Sequence, residues 1–189
     1  IVDAARQSTR LVRERDIPVW AVPEDRFLVA PSMRGILRAV DGTLIKGDPE
    51  LMTREALNVV VAGMSMVNVL PRLLESSVIV IAADRTEVLL ATLLAHASDT
   101  FPSISGVVLN GGFPLPAEID RLIEGLDSNL PIISTNFGTY DTAVRVMNAR
   151  GRLAADSQRR YNTALALFER HVDRDALVTA LGLARTTVV

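Results

Sequence analysis

No cysteine occurs among the 189 residues, and Lys46 is the sole lysine in a set of 20 basic side chains otherwise made up of arginine. Without cysteine there can be no disulfide, no Cys-based zinc site and no thiol nucleophile, and a reducing cytoplasmic setting is the natural expectation. One lysine confines any Schiff-base or P-loop chemistry to position 46. Aromatics make up only 4% of the chain, and the two histidines, His96 and His171, show neither H-x-x-x-H spacing nor carboxylate-rich surroundings, so no metal site is expected. Acidic and basic residues nearly balance at 22 and 20, and no Lys/Arg block carries interleaved aromatics, which argues against a nucleic-acid partner. Apolar runs such as Val78 to Ala83 and Val88 to Ala95 stop well short of the ~20 residues a membrane helix needs, so a soluble chain is expected. The motifs G-x-S-x-G, G-x-x-x-x-G-K-[ST] and G-x-G-x-x-G do not occur, which removes the serine-hydrolase elbow and the usual ATP and dinucleotide cradles. No pair of residues reads as a catalytic acid and base.

Hydrophobic side chains, in contrast, account for 49% of the residues, enough to build a core without covalent staples. Five apolar runs have the length, β-branching and flanking turn residues of strands: Ile17 to Val22, Leu57 to Ala62, Ser77 to Ala83, Ile104 to Asn110 and Pro131 to Thr135. Helical patterns fall between them, at Val67 to Leu74, Thr86 to Ala97, Pro116 to Leu126 and Thr139 to Asn148. That alternation predicts an α/β fold, a mainly parallel sheet with helices on both faces in a Rossmann-like three-layer arrangement. A short helix from Met33 to Val40 leads to an extended edge segment, Thr43 to Lys46, bracketed by Asp41-Gly42 and Gly47-Asp48-Pro49. Residues 1 to 14 read as weakly amphipathic helix. Near the C-terminus, Tyr161, Ala164, Leu165, Phe168 and Val172 recur at steps of three and four, which predicts an amphipathic helix over 155 to 171 whose stripe packs as core. A shorter helical pattern, Ala176 to Leu183, then trails into a linker-like Arg185-Thr186-Thr187.

The candidate site follows from the sheet. In an open parallel sheet, ligands collect beyond the carboxyl ends of the strands, where loops enter helix N-termini rich in unpaired N–H groups. Asp84-Arg85-Thr86, Gly63-Met64-Ser65, Asn110-Gly111-Gly112 and Thr135-Asn136-Phe137-Gly138 all fall at such ends. Glycine lets backbone approach a ligand, hydroxyl and amide side chains donate to phosphate or carboxylate oxygens, and Arg85 is suited to clamp either. The candidate ligand-binding set is therefore Asp84, Arg85, Thr86, Asn110, Gly111, Gly112 and Thr135, with a nucleotide or small anionic effector as the ligand and no resident cofactor. Capping competes with this reading: Asp84 and Glu87 fit a D-x-x-E capping box, and Arg85 would then pair with Asp84 or Glu118. Glu24-Asp25 has the charge to hold Mg²⁺, though a turn after Pro23 is the better account of it.

The stretches IPVWAVPEDRFLVAPSM (17–33), KGDPELMTREALNVVVAGMSMVNVL (46–70), VIVIAADRTEVLLA (78–91), SGVVLNGGFPLP (105–116) and RYNTALALFERHVDRDAL (160–177) together resemble the middle of a long-form bacterial phosphate acetyltransferase. The resemblance covers nearly the whole chain. It implies that residues 1–30 are the tail of a dethiobiotin-synthetase-like P-loop domain, 34–150 a regulatory domain of the DRTGG type, and 153–189 a helical lead toward a catalytic domain. Asp84, Arg85 and Thr86 reproduce D-R-T, whereas Glu87 and Val88 replace both glycines.

The resemblance implies a segment that is non-catalytic by itself and serves regulation and assembly, with its own neighbouring domains, a homo-oligomer and a small anionic metabolite as partners. The catalytic domain would interconvert acetyl-CoA and phosphate with acetyl phosphate and CoA. Two other readings stand beside it: a structural spacer, for which the capping box suffices, and a free-standing enzyme on phosphorylated substrates.

Overall fold

The structure, a computed structural model, describes residue 4 and residues 18–126, 128–151 and 158–183. The helix expected over 1–14 and the linker from Arg185 lie outside the described residues, apart from helical Ala4. Two compact units make up the chain: Val29–Arg152, and Ile1–Leu28 together with Leu153–Val189.

The strands are β1 (Thr43–Lys46), β2 (Asn58–Val61), β3 (Ser77–Ala82), β4 (Gly106–Asn110) and β5 (Ile132–Ser134). The helices are α1 (Arg26–Val29), α2 (Met33–Ala39), α3 (Met66–Val69), α4 (Thr86–His96), α5 (Ala117–Glu124), α6 (Thr139–Asn148), α7 (Gln158–His171) and α8 (Arg174–Ala180), with 3₁₀ turns at Pro49–Thr53 and Leu70–Arg72. One mixed sheet runs in the order β1-β5-β4-β3-β2. β2, β3, β4 and β5 pair in parallel, and β1 lies antiparallel on β5.

Strand periodicity decides how this sheet is covered. Side chains alternate across a strand, so a strand apolar at every position must be buried on both sides. In β3, Ile79 and Ile81 join Val107, Leu109 and Ile132 on one face, beneath Val88, Leu89 and Leu93 of α4 and Ile123 of α5. Val78 and Val80 join Val108 and Ile133 on the other, beneath Met33 and Ile36 of α2 and Val146 of α6. Each fully buried Ile or Leu contributes about 1.5–3 kcal/mol, which places most of the unit's stability in β3, β4 and the helices over them. His96 closes α4 by accepting the Ile104 N–H at Nδ1 (3.3 Å), and burial holds its pKa below the ordinary histidine value.

Two sequence expectations change. Residues 18–22 form no strand; Pro18 has no N–H to give a ladder and Pro23 ends the run. The fifth strand is instead Thr43–Lys46, the segment expected as an extended edge. The helix expected over 67–74 is a single turn followed by a 3₁₀ turn at Leu70–Arg72, since Pro71 cannot continue an α-helical ladder.

In the smaller unit, Asp25 accepts the N–H groups of Phe27 (2.9 Å) and Leu28 (3.1 Å), so it starts α1 rather than offering a Mg²⁺ ligand pair with Glu24. Arg159 lies 4.4 Å from the centroid of the Phe27 ring, a cation–π contact. The stripe on α7 is not covered as expected: Tyr161 is 59% exposed and Leu165 41%, while the side chain buried on this helix is Arg160.

Candidate functional site

The parallel strands set their carboxyl ends along one rim. From β2 through β5 the successive connections, α3, α4 and α5, all pack on the first face of the sheet, whereas the chain leaves β5 into α6 on the second. The connections after β4 and after β5 therefore diverge to opposite faces. Such a switch point leaves a crevice that neither helix fills.

Asn110, the last residue of β4, sits at that point. Its Nδ2 donates to Thr139 Oγ1, the first residue of α6, at 2.9 Å. The side chain is only 2% exposed, and its Oδ1 is buried with no hydrogen-bond partner. Leaving a buried acceptor unpaired costs about 1–3 kcal/mol. Among the described residues Thr92 Oγ1 and Ser128 Oγ are also buried and unpaired, but Thr92 lies in the middle of α4 and Ser128 precedes β5, away from this rim.

The residues around Asn110 hold the crevice in shape. Gly111 donates to the Phe137 carbonyl (2.8 Å) and Gly112 to that of Thr135 (3.0 Å), extending the β4–β5 seam past the strands. Both glycines have positive φ, +98° and +71°, a region side-chain-bearing residues rarely occupy. A Cβ on Gly112 would lie 2.7 Å from Asn136 Oδ1. Across the seam Gly138 is the N-cap of α6 with no side chain capping it, and a Cβ there would meet nothing within 4 Å. The first N–H groups of α6 have no partner within the helix, and the helix starts beside Asn110, which bonds its first residue.

Thr135 belongs to the frame rather than the opening. Its hydroxyl donates to the Val40 carbonyl (2.7 Å) and accepts from Phe137 N–H (3.4 Å), and the residue is 3% exposed.

The Asp84-Arg85-Thr86 turn forms a separate station one strand away. Arg85, not Asp84, occupies the N-cap position of α4 and makes no side-chain cap, so the expected capping box does not form. Arg85 pairs with neither Asp84 nor Glu118: its Nε donates to Glu87 Oε1 (2.7 Å) and its Nη2 to the Met64 carbonyl (3.1 Å), which turns the guanidinium toward the loop after β2. The hydrogen bond from Arg85 holds the Glu87 carboxyl below its usual pKa. Asp84 is exposed and Thr86 opens α4.

The sequence points to Asn110, Gly111 and Gly112 and names Gly138 among the strand-end loops, but it does not single out Thr139, which bonds Asn110, or two exposed aromatics near them in the chain. Phe113 is 56% exposed and its ring lies against Gly111, whose Cβ would meet it at 3.1 Å. Tyr140, next to Thr139, is 80% exposed. The signal available was the pair N-G-G-F and G-T-Y, each an aromatic within three residues of a strand-end glycine.

A cavity of about 380 Å³ opens at the opposite end of the sheet, among Lys46, Asp48, Leu126, Ser128, Leu130 and neighbouring residues. Its charges are already matched: Lys46 Nζ lies 3.0 Å from Glu124 and 3.2 Å from Asp120, and these partners, Glu124 foremost, raise the lysine pKa. The cavity also has an unpaired hydroxyl, Ser128 Oγ, but the rim joins its unpaired amide oxygen to two helix starts of useful length without a side-chain cap, and is the stronger site. Among the described residues no group of three or more His, Asp or Glu side chains is arranged to hold a metal ion, and no helix is long and apolar enough to cross a membrane.

Comparison with known proteins places this geometry. The DRTGG domain family matches residues 35–149. Phosphate acetyltransferase of Nitratidesulfovibrio vulgaris is 32% identical over 166 residues, which cover 87% of this chain and 23% of that protein. The phosphate acetyltransferases of Synechocystis sp. and Escherichia coli are each 25% identical, over 92% and 88% of this chain and 25% and 23% of their own length. The chain therefore spans about a quarter of these relatives. A crystal structure of the CBS and DRTGG domains of the regulatory region of Clostridium perfringens pyrophosphatase, complexed with the activator diadenosine tetraphosphate, is 15% identical with a TM-score of 0.46, covering 84% of this chain and 67% of that one. Since the family match spans more than half of the residues, including every strand and the whole strand-end rim, the chain belongs to the DRTGG domain family.

Proposed function

We propose that this chain is a metabolite-sensing and assembly domain of a phosphate acetyltransferase, whose separate catalytic domain interconverts acetyl-CoA and phosphate with acetyl phosphate and CoA. The segment itself carries no catalysis. In this reading the mixed sheet works as a Rossmann-like frame, residues 34–150 form the sensing domain, and residues 153–189 lead toward the catalytic domain of a cytoplasmic oligomer. The match to about a quarter of three phosphate acetyltransferases supports the parentage.

The observation that carries the sensing role is the buried, unpaired Oδ1 of Asn110 at the β4/β5 switch point, beside the uncapped start of α6. A nucleotide or small anionic metabolite is the effector, with Asn110 and Thr86 contributing polar contacts, Gly111 and Gly112 admitting close approach, Arg85 neutralising charge, and Asp84 and Thr135 shaping the rim. For Arg85 to do so it must exchange Glu87 for ligand. A thermal-shift screen of the 189-residue chain against NADH, ATP, ADP, AMP, pyruvate, phosphoenolpyruvate, acetyl phosphate and CoA tests the role. A ligand at about a hundred times its Kd adds roughly 2.7 kcal/mol, a shift of several degrees. The expected result is a saturable shift from at least one of them; no shift from any removes the sensing role.

A second reading, a structural spacer, is favoured by one observation: Arg85 already has protein partners at both ends of its guanidinium. A spacer would self-associate without any saturable ligand effect.

A further inference from the structure

Resting on the sensing role just given, we infer that the Asn110 crevice takes the nucleoside part of the effector, a group that donates hydrogen bonds, and that the phosphate lies elsewhere on the rim. The argument begins with what Asn110 lacks. Its Nδ2 is used on Thr139 Oγ1, and the atom left over, Oδ1, is an acceptor. Phosphate and carboxylate oxygens at neutral pH are themselves acceptors and would meet it with repulsion. A sugar hydroxyl or an exocyclic amine would complete it.

Charge points the same way. The first turn of α6 carries Asp141, which offsets the positive end of the helix dipole beside Asn110. Arg145, on the same helix, is held elsewhere: its guanidinium sits 3.9 Å over the Phe137 ring and its Nη1 donates to the Ala39 carbonyl. A second cation on the rim is Arg85, at the start of α4 after β3, the strand adjacent to β4. Adjacent strands lie about 4.8 Å apart, so once Arg85 swings back from Glu87 and the Met64 carbonyl, one nucleotide has the length to place its phosphate there and its nucleoside at Asn110.

The aromatics supply the remaining element. Phe113 follows Gly111-Gly112 with its ring against the Gly111 backbone and more than half exposed, and Tyr140 stands exposed beside Thr139. In a chain with eight aromatic residues in all (one Trp, two Tyr and five Phe), one lies against the residue after this buried amide and another follows its hydrogen-bond partner in sequence. An exposed ring beside a recessed polar group suits a nucleobase, which presents both a π-face and donor edges.

The test is isothermal titration of the full 189-residue chain with adenosine, AMP, inorganic phosphate and acetyl phosphate, repeated on Asn110→Leu, Asn110→Asp and Phe113→Ala. Adenosine and AMP should bind, and AMP more tightly. Asn110→Leu should weaken adenosine binding about tenfold or more through the lost hydrogen bond, whereas Asn110→Asp, which keeps an acceptor, should retain it. Phe113→Ala, at an exposed position that does not carry the fold, should weaken it about tenfold. Inorganic phosphate, where it binds, should be insensitive to Asn110 and Phe113. If phosphate or acetyl phosphate binds in an Asn110-dependent way and adenosine does not, the nucleoside assignment is wrong while the sensing role stands. Should none of the four bind, the nucleoside assignment falls; the wider screen then decides the sensing role separately. An adenosine affinity unchanged in both Asn110→Leu and Phe113→Ala also overturns the assignment.

Discussion

Two turns on the same rim, Asp84-Arg85-Thr86 after β3 and Asn110-Gly111-Gly112 after β4, stand at equivalent strand ends and differ in state. The first is closed on its own chain: Arg85 is bonded to Glu87 and to the Met64 carbonyl. The second is held rigid by the β4–β5 seam yet keeps a buried amide oxygen unpaired. A charged turn at a strand end thus signals a site less reliably than a small, uncharged residue whose hydrogen-bonding capacity the fold leaves unfilled. Charge can be neutralised locally at little cost, whereas a buried acceptor without a donor calls for an explanation, a bound water, ion or ligand among them.

The difference can be broken most severely at Gly112. Replacing it with alanine forces a side chain into φ +71° and against Asn136, which should destabilise the unit by about 2 kcal/mol in urea denaturation. A cost under a few tenths of a kcal/mol would mean that the seam adapts freely. Next comes Thr135→Val. Leaving the buried Val40 carbonyl without its donor should cost about 1–2 kcal/mol, with effector binding otherwise unchanged. A loss of binding without loss of stability would move Thr135 from the frame into the site.

Arg85→Ala sharpens the contrast from the other side. The Arg85–Glu87 pair is partly exposed, 34% and 51% for the two side chains, so its removal should change stability by at most about 0.5 kcal/mol while weakening phosphate-bearing ligands more than adenosine. Equal weakening of both by titration calorimetry would argue against a divided rim. The smallest effect concerns pH. Glu87 has its folded pKa lowered by Arg85, so the pair's contribution is present above the ordinary glutamate pKa and is lost as pH falls through the depressed folded value. Acid unfolding of the parent chain should therefore show a slight extra loss of stability in that window. Arg85→Ala should abolish it, so the stability difference between the parent chain and the variant should shrink as pH falls through that window, and a difference that instead grows as pH falls would have the wrong sign.

Much of this frame is legible in sequence because its determinants are local. The β-branched, wholly apolar Val78–Ala82 announces a strand covered on both faces, and Thr139–Asn148 has the boundaries its pattern predicts. Residues 18–22 mislead because apolar, β-branched composition says nothing about whether a neighbour exists to complete a ladder, and Pro18 removes a donor. Asp84 and Glu87 mislead because the chain enters α4 one residue later than a capping box requires, putting Arg85 at the N-cap. The unpaired oxygen of Asn110 was beyond reach in principle. It depends on strand order, on which face α6 takes, and on a hydrogen bond to a residue 29 positions away.

The most direct test is a ¹H–¹⁵N correlation titration of the chain with AMP. The account predicts saturable shifts centred on the Asn110 side-chain amide, Gly111, Gly112 and the backbone of Gly138 to Tyr140, with a weaker set at Arg85 and Thr86. Shifts confined to the Asp84-Arg85-Thr86 turn, or none at any concentration, would contradict it.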